Sequence, residues 1–124
     1  MKEPTLGNPQ NTIAVLQKYN FVFQKKFGQN FLIDTHVLDK IIRAAEIGKD
    51  DCVLEIGPGI GTMTQYLACA AKKVIAVEID KALIPILNDT LDGYDNVKII
   101  NEDVLKVDIA KLAEEENDGK PLKV

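Results

Sequence analysis

The fold is decided by the stretch Cys52-Val53-Leu54-Glu55-Ile56-Gly57-Pro58-Gly59-Ile60-Gly61-Thr62. Its apolar start predicts a buried strand over residues 52–56. The three glycines at every second position predict a tight turn before a helix over residues 62–71. Glycine has no Cβ, so a ligand can approach this backbone closely, and the free N–H groups of the following helix point toward it. The stretch therefore predicts a nucleoside-cofactor turn at the carboxyl end of a first parallel strand.

Outward from this turn, strand-like and helix-like segments alternate along the chain. Further strands are predicted over residues 73–79 and 97–101, and residues 122–124 look like the start of a fourth strand. Helices are predicted over residues 9–19, 34–46, 81–89 and 109–117. This alternation predicts an α/β fold in which helices flank a parallel sheet.

Composition excludes few classes of function, but it bears on domain size, cellular compartment and membrane contact. The chain has 124 residues, enough for one small domain, and its net charge of −4 gives no argument for nucleic acid binding. Cys52 and Cys69 lack metal-ligand spacing, so we expect reduced thiols, a cytoplasmic protein and no metal site. No apolar run approaches the roughly 18 residues of a membrane span, so we expect no membrane contact.

Two acids follow the later strands and belong with the glycine turn. Right-handed crossovers place the ends of three parallel strands, with Gly57, Glu78 and Asp103, at one edge of the sheet. A carboxylate at Glu78 can accept hydrogen bonds from both hydroxyls of a ribose, and Asp103 can accept one from an exocyclic amine such as adenine N6. The three positions therefore predict an adenosine site.

The glycine spacing distinguishes between two classes of cofactor. Enzymes that bind NAD(P) carry G-x-G-x-x-G around a pyrophosphate, whereas this chain carries G-x-G-x-G at Gly57, Gly59 and Gly61. Glu55 precedes these glycines and would repel a pyrophosphate, but it suits the ammonium and sulfonium charges of S-adenosylmethionine. This favours a methyltransferase over an NAD(P)-binding oxidoreductase domain, which stays a minor alternative.

A second motif lies before the core. The segment Lys26-Phe27-Gly28-Gln29-Asn30-Phe31-Leu32 precedes the glycine stretch, and Val77-Glu78-Ile79-Asp80 and Asn101-Glu102-Asp103-Val104-Leu105 follow it. Together these motifs resemble the KsgA-type ribosomal RNA adenine dimethyltransferases, from about residue 24 to residue 124. The resemblance implies a Rossmann-like class I methyltransferase sheet that is truncated after the start of the fourth strand.

The resemblance also implies an activity and a set of site residues. Members of this family use S-adenosylmethionine to place two methyl groups on N6 of each of two adjacent adenosines in small-subunit rRNA, during ribosome biogenesis. The expected partner is therefore small-subunit rRNA in a pre-30S-type particle. By resemblance, the cofactor-binding positions of this chain are Asn30, Leu32, Glu55, Gly57, Gly59, Gly61, Glu78 and Asp103.

The resemblance further implies that parts of the family's machinery lie beyond Val124. These parts are the Asn-Leu-Pro-Tyr catalytic motif and a C-terminal helical domain, so no catalytic residue is predicted within the chain. We expect residues 1–51 to form a helical arm with a cofactor-site loop, and residues 52–124 to form part of the cofactor domain. Such a fragment is expected to lack methyl transfer, and to associate with itself through an unpaired edge of the first strand.

Alternatives remain open for the RNA-facing parts. Lys25 and Lys26 stand among the four phenylalanines of the chain, and this stretch either contacts RNA or packs over the cofactor site. One alternative function is the large-subunit rRNA adenine methyltransferase of the antibiotic-resistance type. Another is a non-catalytic RNA-binding or ribosome-assembly module.

Overall fold

The fold is known from a computed structural model, which describes residues 2–20 and 34–124. Three parallel strands form its sheet: β1 (Cys52–Ile56), β2 (Lys73–Glu78) and β3 (Val97–Asn101), in the order β1-β2-β3. Ile56 lies opposite Val77, and Glu78 lies opposite Asn101. The predicted parallel α/β sheet is confirmed, although β2 ends one residue before the predicted Ile79.

Five α-helices accompany the sheet within the described residues. They are α1 (Pro9–Lys18), α2 (Thr35–Ala44), α3 (Thr62–Ala70), α4 (Ile84–Thr90) and α5 (Ile109–Asn117). The helix predicted over residues 81–89 instead begins as a 3₁₀ turn at Lys81–Leu83. Pro85 explains this difference, because it has no N–H to donate to the carbonyl of Lys81 and so cannot continue an α-helix from that turn.

Side-chain capping sets where several of these helices begin. The Asn8 side chain accepts a hydrogen bond from the N–H of Gln10, and the Asp34 side chain accepts one from the N–H of His36. The helix predicted to reach residue 46 ends at Ala44, since Glu46 adopts a left-handed conformation with φ of 53°. None of the helices in residues 2–20 and 34–124 has the length and apolar character needed to cross a membrane.

The two faces of the sheet bury different sets of side chains, because successive residues of a strand point to opposite faces. Val53 and Val74 pack with Leu67 and Ala68 of α3 on one face. On the other face, β1 and β2 pack against α5 through Cys52, Leu54, Ile75, Val77 and Leu112. The sheet is therefore covered on both sides, as parallel sheets require.

The free edge of β1 is not wholly unpaired, which corrects one expectation. Lys123 forms a parallel bridge with Val53. Its N–H donates to the carbonyl of Cys52 at 3.0 Å, and its carbonyl accepts from the N–H of Leu54 at 2.6 Å. The predicted start of a fourth strand is therefore present as one bridge beside β1, and only the part of β1 beyond Leu54 lacks this neighbour.

The N-terminal segment is bonded to the core through Gln65 of α3. The buried Gln65 side chain accepts hydrogen bonds from the N–H groups of Thr5 and Leu6, both at 2.9 Å, and donates to the carbonyl of Thr90 at 2.8 Å. Leu6 packs beside Ile60, within the glycine turn. These contacts hold the segment before α1 against the elements that carry the site.

Candidate functional site

The glycine turn between β1 and α3 depends on left-handed backbone conformations. Gly57, Gly59 and Gly61 have φ values of 70°, 63° and 96°. The N–H of Gly57 donates to the carbonyl of Val77 at 2.9 Å, which joins the turn to β2. A side chain at these positions would be strained, because L-residues rarely adopt positive φ.

The space beside the glycines differs along the turn. A Cβ added at Gly57 would meet nothing within 4 Å, so this position borders open space that a ligand can enter. A Cβ added at Gly61 would lie 2.9 Å from Thr90 Oγ1 and 3.3 Å from Leu91 Cδ2, both at the end of α4. The absence of a side chain at Gly61 therefore also serves helix packing, a role that the motif did not reveal.

Glu78 is buried at the end of β2 and joins that end to the glycine turn. Its Oε1 accepts a hydrogen bond from the N–H of Gly59 at 3.0 Å, and its Oε2 accepts one from the N–H of Asp80 at 3.0 Å. Burial raises the pKa of Glu78, and these two hydrogen bonds partly oppose the rise. Each carboxylate oxygen keeps a further lone pair that can accept from a ribose hydroxyl.

The ends of β2 and β3 are held side by side. The Asn101 side chain donates to the carbonyl of Glu78 at 2.8 Å, and the N–H of Glu102 donates to the same carbonyl at 3.1 Å. Asp103 follows directly, and its carboxylate accepts from the N–H of Leu105 at 3.0 Å, capping a short 3₁₀ turn. The structure therefore brings Gly57, Glu78 and Asp103 to one edge of the sheet, as the predicted topology requires.

Glu55 lies on the α3 side of β1, beneath the turn, and is 8% exposed. Its Oε1 accepts a hydrogen bond of 2.5 Å from the hydroxyl of Thr64. Burial raises the pKa of Glu55 to about 7, the Thr64 hydrogen bond opposes this rise, and the charge of Glu78 adds to it. Among the ion pairs that the structure describes, none involves Glu55.

Two exposed apolar side chains next to the acids were missed by the sequence reasoning. Ile79 directly follows Glu78 and is 51% exposed, and Leu105 lies two residues after Asp103 and is 90% exposed. A purine base has two apolar faces, so aliphatic side chains beside the strand-end acids suit it. The available signal in the sequence was an apolar residue placed close after each acid.

Other positions singled out in the sequence fall into two groups. Asn30, Leu32, Lys25 and Lys26 lie outside the described residues, and their roles stay predictions. His36 is exposed on α2, and residues 2–20 and 34–124 contain no group of three His, Cys, Asp or Glu side chains that could hold a metal ion. Cys52 is buried, and this burial raises the pKa of its thiol.

Comparison with known sequences identifies a matching family. The model of the family described as "Ribosomal RNA adenine dimethylase" matches residues 20–124. A protein of Lachnoclostridium phytofermentans named "Ribosomal RNA small subunit methyltransferase A" is 72% identical over 120 residues, and one of the same name in Clostridioides difficile is 50% identical over 119. Each alignment covers 96% of this chain but 41% of the relative, so the chain spans less than half the length of these proteins.

Comparison with solved structures finds transferases whose fold is similar to that of this chain. The 23S rRNA methyltransferase ErmE superposes with a TM-score of 0.60 and 39% identity, over 64% of this chain and 32% of that one. A dimethyladenosine transferase from Plasmodium falciparum superposes with a TM-score of 0.57 and 32% identity, over 71% and 38%. An RNA methyltransferase from Salinibacter ruber, solved with S-adenosylhomocysteine, superposes with a TM-score of 0.58 over 63% of this chain and 54% of that one. Because the two sequences are 21% identical, this similarity supports the fold alone.

Substitution of two glycines tests the division of roles within the turn. Gly57→Ala is expected to destabilise the fold by about 1 kcal/mol, through positive φ alone. Gly61→Ala is expected to cost at least about 1 kcal/mol more, because the new Cβ displaces Thr90, whose hydroxyl donates to the carbonyl of Ile60. Urea denaturation measures both values, and equal destabilisation would contradict the packing role of Gly61.

The burial of Glu55 predicts a pH-dependent stability. A folded-state pKa of about 7, above the ordinary glutamate pKa of 4.5, means that the contribution of Glu55 to stability is fully present below pH 4.5 and is lost as pH rises through 7. Glu55→Gln keeps an oxygen for Thr64 without the charge. Between pH 4 and pH 8, the free energy of unfolding of Glu55→Gln should therefore rise by about 3 kcal/mol relative to that of the native chain, as measured by urea denaturation. The exposed Glu114→Gln is the control, and a Glu55→Gln effect that stays constant with pH would oppose the prediction.

Proposed function

This chain belongs to the ribosomal RNA adenine dimethylase family, and on that premise we propose that it forms the S-adenosylmethionine-binding part of an rRNA adenine dimethyltransferase. The observation that carries the proposal is the position of Glu78. This buried carboxylate lies at the sheet edge, bonded to the glycine turn, below a Gly57 that faces open space.

The described residues fit the parts of this cofactor. Glu78 would accept hydrogen bonds from the ribose hydroxyls and Asp103 one from the adenine amine, while Ile79 and Leu105 would contact the faces of the adenine. Thr62, the first residue of α3 after the turn, has a buried hydroxyl without a hydrogen-bond partner among the described residues. In its ionised form Glu55 supplies negative charge, which suits a sulfonium and opposes a pyrophosphate.

The reaction and its substrate come from the relatives. Because relatives up to 72% identical are named as small-subunit rRNA methyltransferases, we propose that the whole protein places two methyl groups on N6 of each of two adjacent adenosines in small-subunit rRNA. The cofactor supplies an electrophilic methyl group, and this chain's own residues bind it and orient it. The proposed partner is a pre-30S-type particle and the proposed location is the cytoplasm.

Two further assignments belong to the same proposal. Residues 1–51 form the arm with the cofactor-site loop, in which Asn30 and Leu32 contact the methionine part of the cofactor and Lys25 and Lys26 contact RNA phosphates. Residues 52–124 form the partial cofactor domain, with Gly59 and Gly61 in the turn. The packing of Leu6 beside Ile60 supports an arm that folds together with this domain.

One specific observation favours a second candidate. ErmE, named as a 23S rRNA methyltransferase, superposes with this chain at 39% identity, so methylation of large-subunit rRNA is the alternative. The sequence relatives named for the small subunit are more similar, at 50% to 72% identity. Methyl transfer by the whole protein to isolated small-subunit rather than large-subunit particles distinguishes the two.

Calorimetric titration of the chain tests the cofactor site. We expect S-adenosylmethionine to bind and NAD not to bind. Glu78→Gln keeps one oxygen for Gly59 but loses the charged acceptor, which should weaken binding by about 30-fold, since hydrogen bonds to charged groups contribute about 2 kcal/mol. Glu114→Gln, an exposed acid on α5, is the matched control. Binding of NAD, or equal affinity in both variants, would contradict the proposal.

We further propose that the 124-residue chain pairs with a second copy along β1. The part of β1 beyond Leu54 lies at the sheet edge and includes the exposed apolar side chain of Ile56. The side chain of Val124 is also apolar and exposed. Sedimentation equilibrium should show a dimer that Ile56→Lys disrupts, because a charge at that edge opposes pairing. Ile109→Lys, on the exposed side of α5, should leave the dimer intact, and a monomeric mass at high concentration would refute the pairing.

A further inference from the structure

The buried pair of Glu55 and Thr64 has a chemistry that cofactor recognition alone does not require. Glu55 is 8% exposed, and the short hydrogen bond from the Thr64 hydroxyl is the one side-chain hydrogen bond described for its carboxyl group. Thr64 is fully buried in α3. A carboxylate in such a place is costly unless a cation compensates it, and otherwise the group holds a proton.

Among the residues that the structure describes, no ion pair supplies such a cation to Glu55. From β2, Glu78 faces Glu55 with a like charge. The Glu78 carboxylate itself accepts hydrogen bonds from the N–H groups of Gly59, in the turn, and of Asp80. From α3 it meets the neutral Thr64. Glu55 also lines a cavity of about 290 Å³ between β1, α2 and α3, to which α2 contributes Ile41 and Ala45.

Lys123 lines the same cavity, but its ammonium is bonded elsewhere. Its Nζ donates to the carbonyls of Ala45 and Glu46, at 3.0 and 2.6 Å, and lies 3.2 Å from an oxygen of Asp51. The ammonium of this cavity-lining lysine is therefore already paired with other acceptors. No ion pair in residues 2–20 and 34–124 therefore compensates Glu55, so without a cationic ligand burial favours the protonated acid.

We propose that Glu55 is largely protonated in the unliganded chain at slightly acidic pH and releases this proton to solvent when a cationic group of S-adenosylmethionine binds, with Thr64 as the positioning residue that holds the carboxylate. This inference rests on the proposed function, since it takes S-adenosylmethionine as the ligand. The O–H bond of Glu55 breaks, its proton passes to the buffer, and the carboxylate keeps the hydrogen bond from Thr64.

The sign of the pH dependence follows from linkage. Without ligand, burial holds the pKa of Glu55 at about 7, and a bound cation favours the ionised form and lowers it. Affinity for the cofactor therefore rises with pH up to about 7 and is flat above it. Below that pH, each unit should weaken binding about tenfold, because a proton must first be removed.

Thr64 should set the pH at which this change occurs. Its hydroxyl donates to the ionised carboxyl and so lowers the pKa of Glu55 against the effect of burial. Thr64→Val has nearly the same shape but removes the donor, so the pKa should rise and the affinity profile should move to higher pH. Thr64→Ser restores the donor and should restore the profile, which a purely structural role of the side chain would not do.

The first experiment titrates the unliganded chain. Carbon-13 NMR of the glutamate carboxyls, assigned with Glu55→Gln, should show Glu55 changing near pH 7 and at higher pH in Thr64→Val. A Glu55 carboxyl that titrates below pH 5 overturns the proposal, whether or not the chain binds the cofactor. Urea denaturation of each variant, at pH 6 and 8, confirms that the variants are folded.

The second experiment measures protons during binding. Calorimetric titration with S-adenosylmethionine, in two buffers of different ionisation enthalpy, should show release of nearly one proton at pH 6 and little at pH 8. Affinity should be about tenfold weaker at pH 6, and Glu55→Gln should abolish the release. Binding with no release in the native chain overturns this inference and leaves the proposed function standing. Absence of binding at both pH values contradicts the proposed function itself, and the inference with it.

S-adenosylhomocysteine identifies which cationic group acts. It keeps the ammonium but lacks the sulfonium charge. Equal proton release with both ligands assigns the effect to the ammonium, and reduced release with S-adenosylhomocysteine assigns it to the sulfonium. In the second case Glu55 also favours the methyl donor over the demethylated product at neutral pH.

Discussion

The hydrogen bond from the Gly59 N–H to Glu78 is the interaction on which the candidate site depends. It joins the turn after β1 to the end of β2, while a second oxygen of the same carboxylate accepts from Asp80. The carbonyl of Glu78 in turn accepts from Asn101 and Glu102, at the end of β3. One residue thus organises three strand ends, and it also presents the lone pairs expected to receive a ribose.

This arrangement carries an electrostatic cost. Two carboxyl groups, Glu55 and Glu78, are buried on the same side of the sheet, and the pKa of each is raised by burial. Backbone N–H groups partly offset the cost at Glu78, whereas a single hydroxyl does so at Glu55. None of the ion pairs among the described residues involves either acid, so the site suits a cationic ligand that supplies the missing charge. The same property disfavours the phosphates of a dinucleotide.

Local sequence predicted much of the fold because its signals are local. Side-chain caps at Asn8 and Asp34, positive φ at the glycines and the apolar runs of the strands all act over a few residues. Where the prediction was wrong, a nearby backbone constraint decided. Pro85 turned the start of a predicted helix into a 3₁₀ turn. The left-handed backbone of Glu46 ended α2 before residue 46, to which the helix had been predicted to extend.

The sequence by itself determined the parallel α/β topology and placed the glycines, Glu78 and Asp103 at one edge, because parallel strands joined by right-handed crossovers must end together. It also determined the family, through motifs that span most of the chain. Only the tertiary structure decided that Gly61 makes room for α4, that Gln65 holds the N-terminal segment, and that Glu55 accepts a hydrogen bond from Thr64. These contacts join residues that are distant in sequence or set by burial, and burial follows from packing that no local pattern specifies.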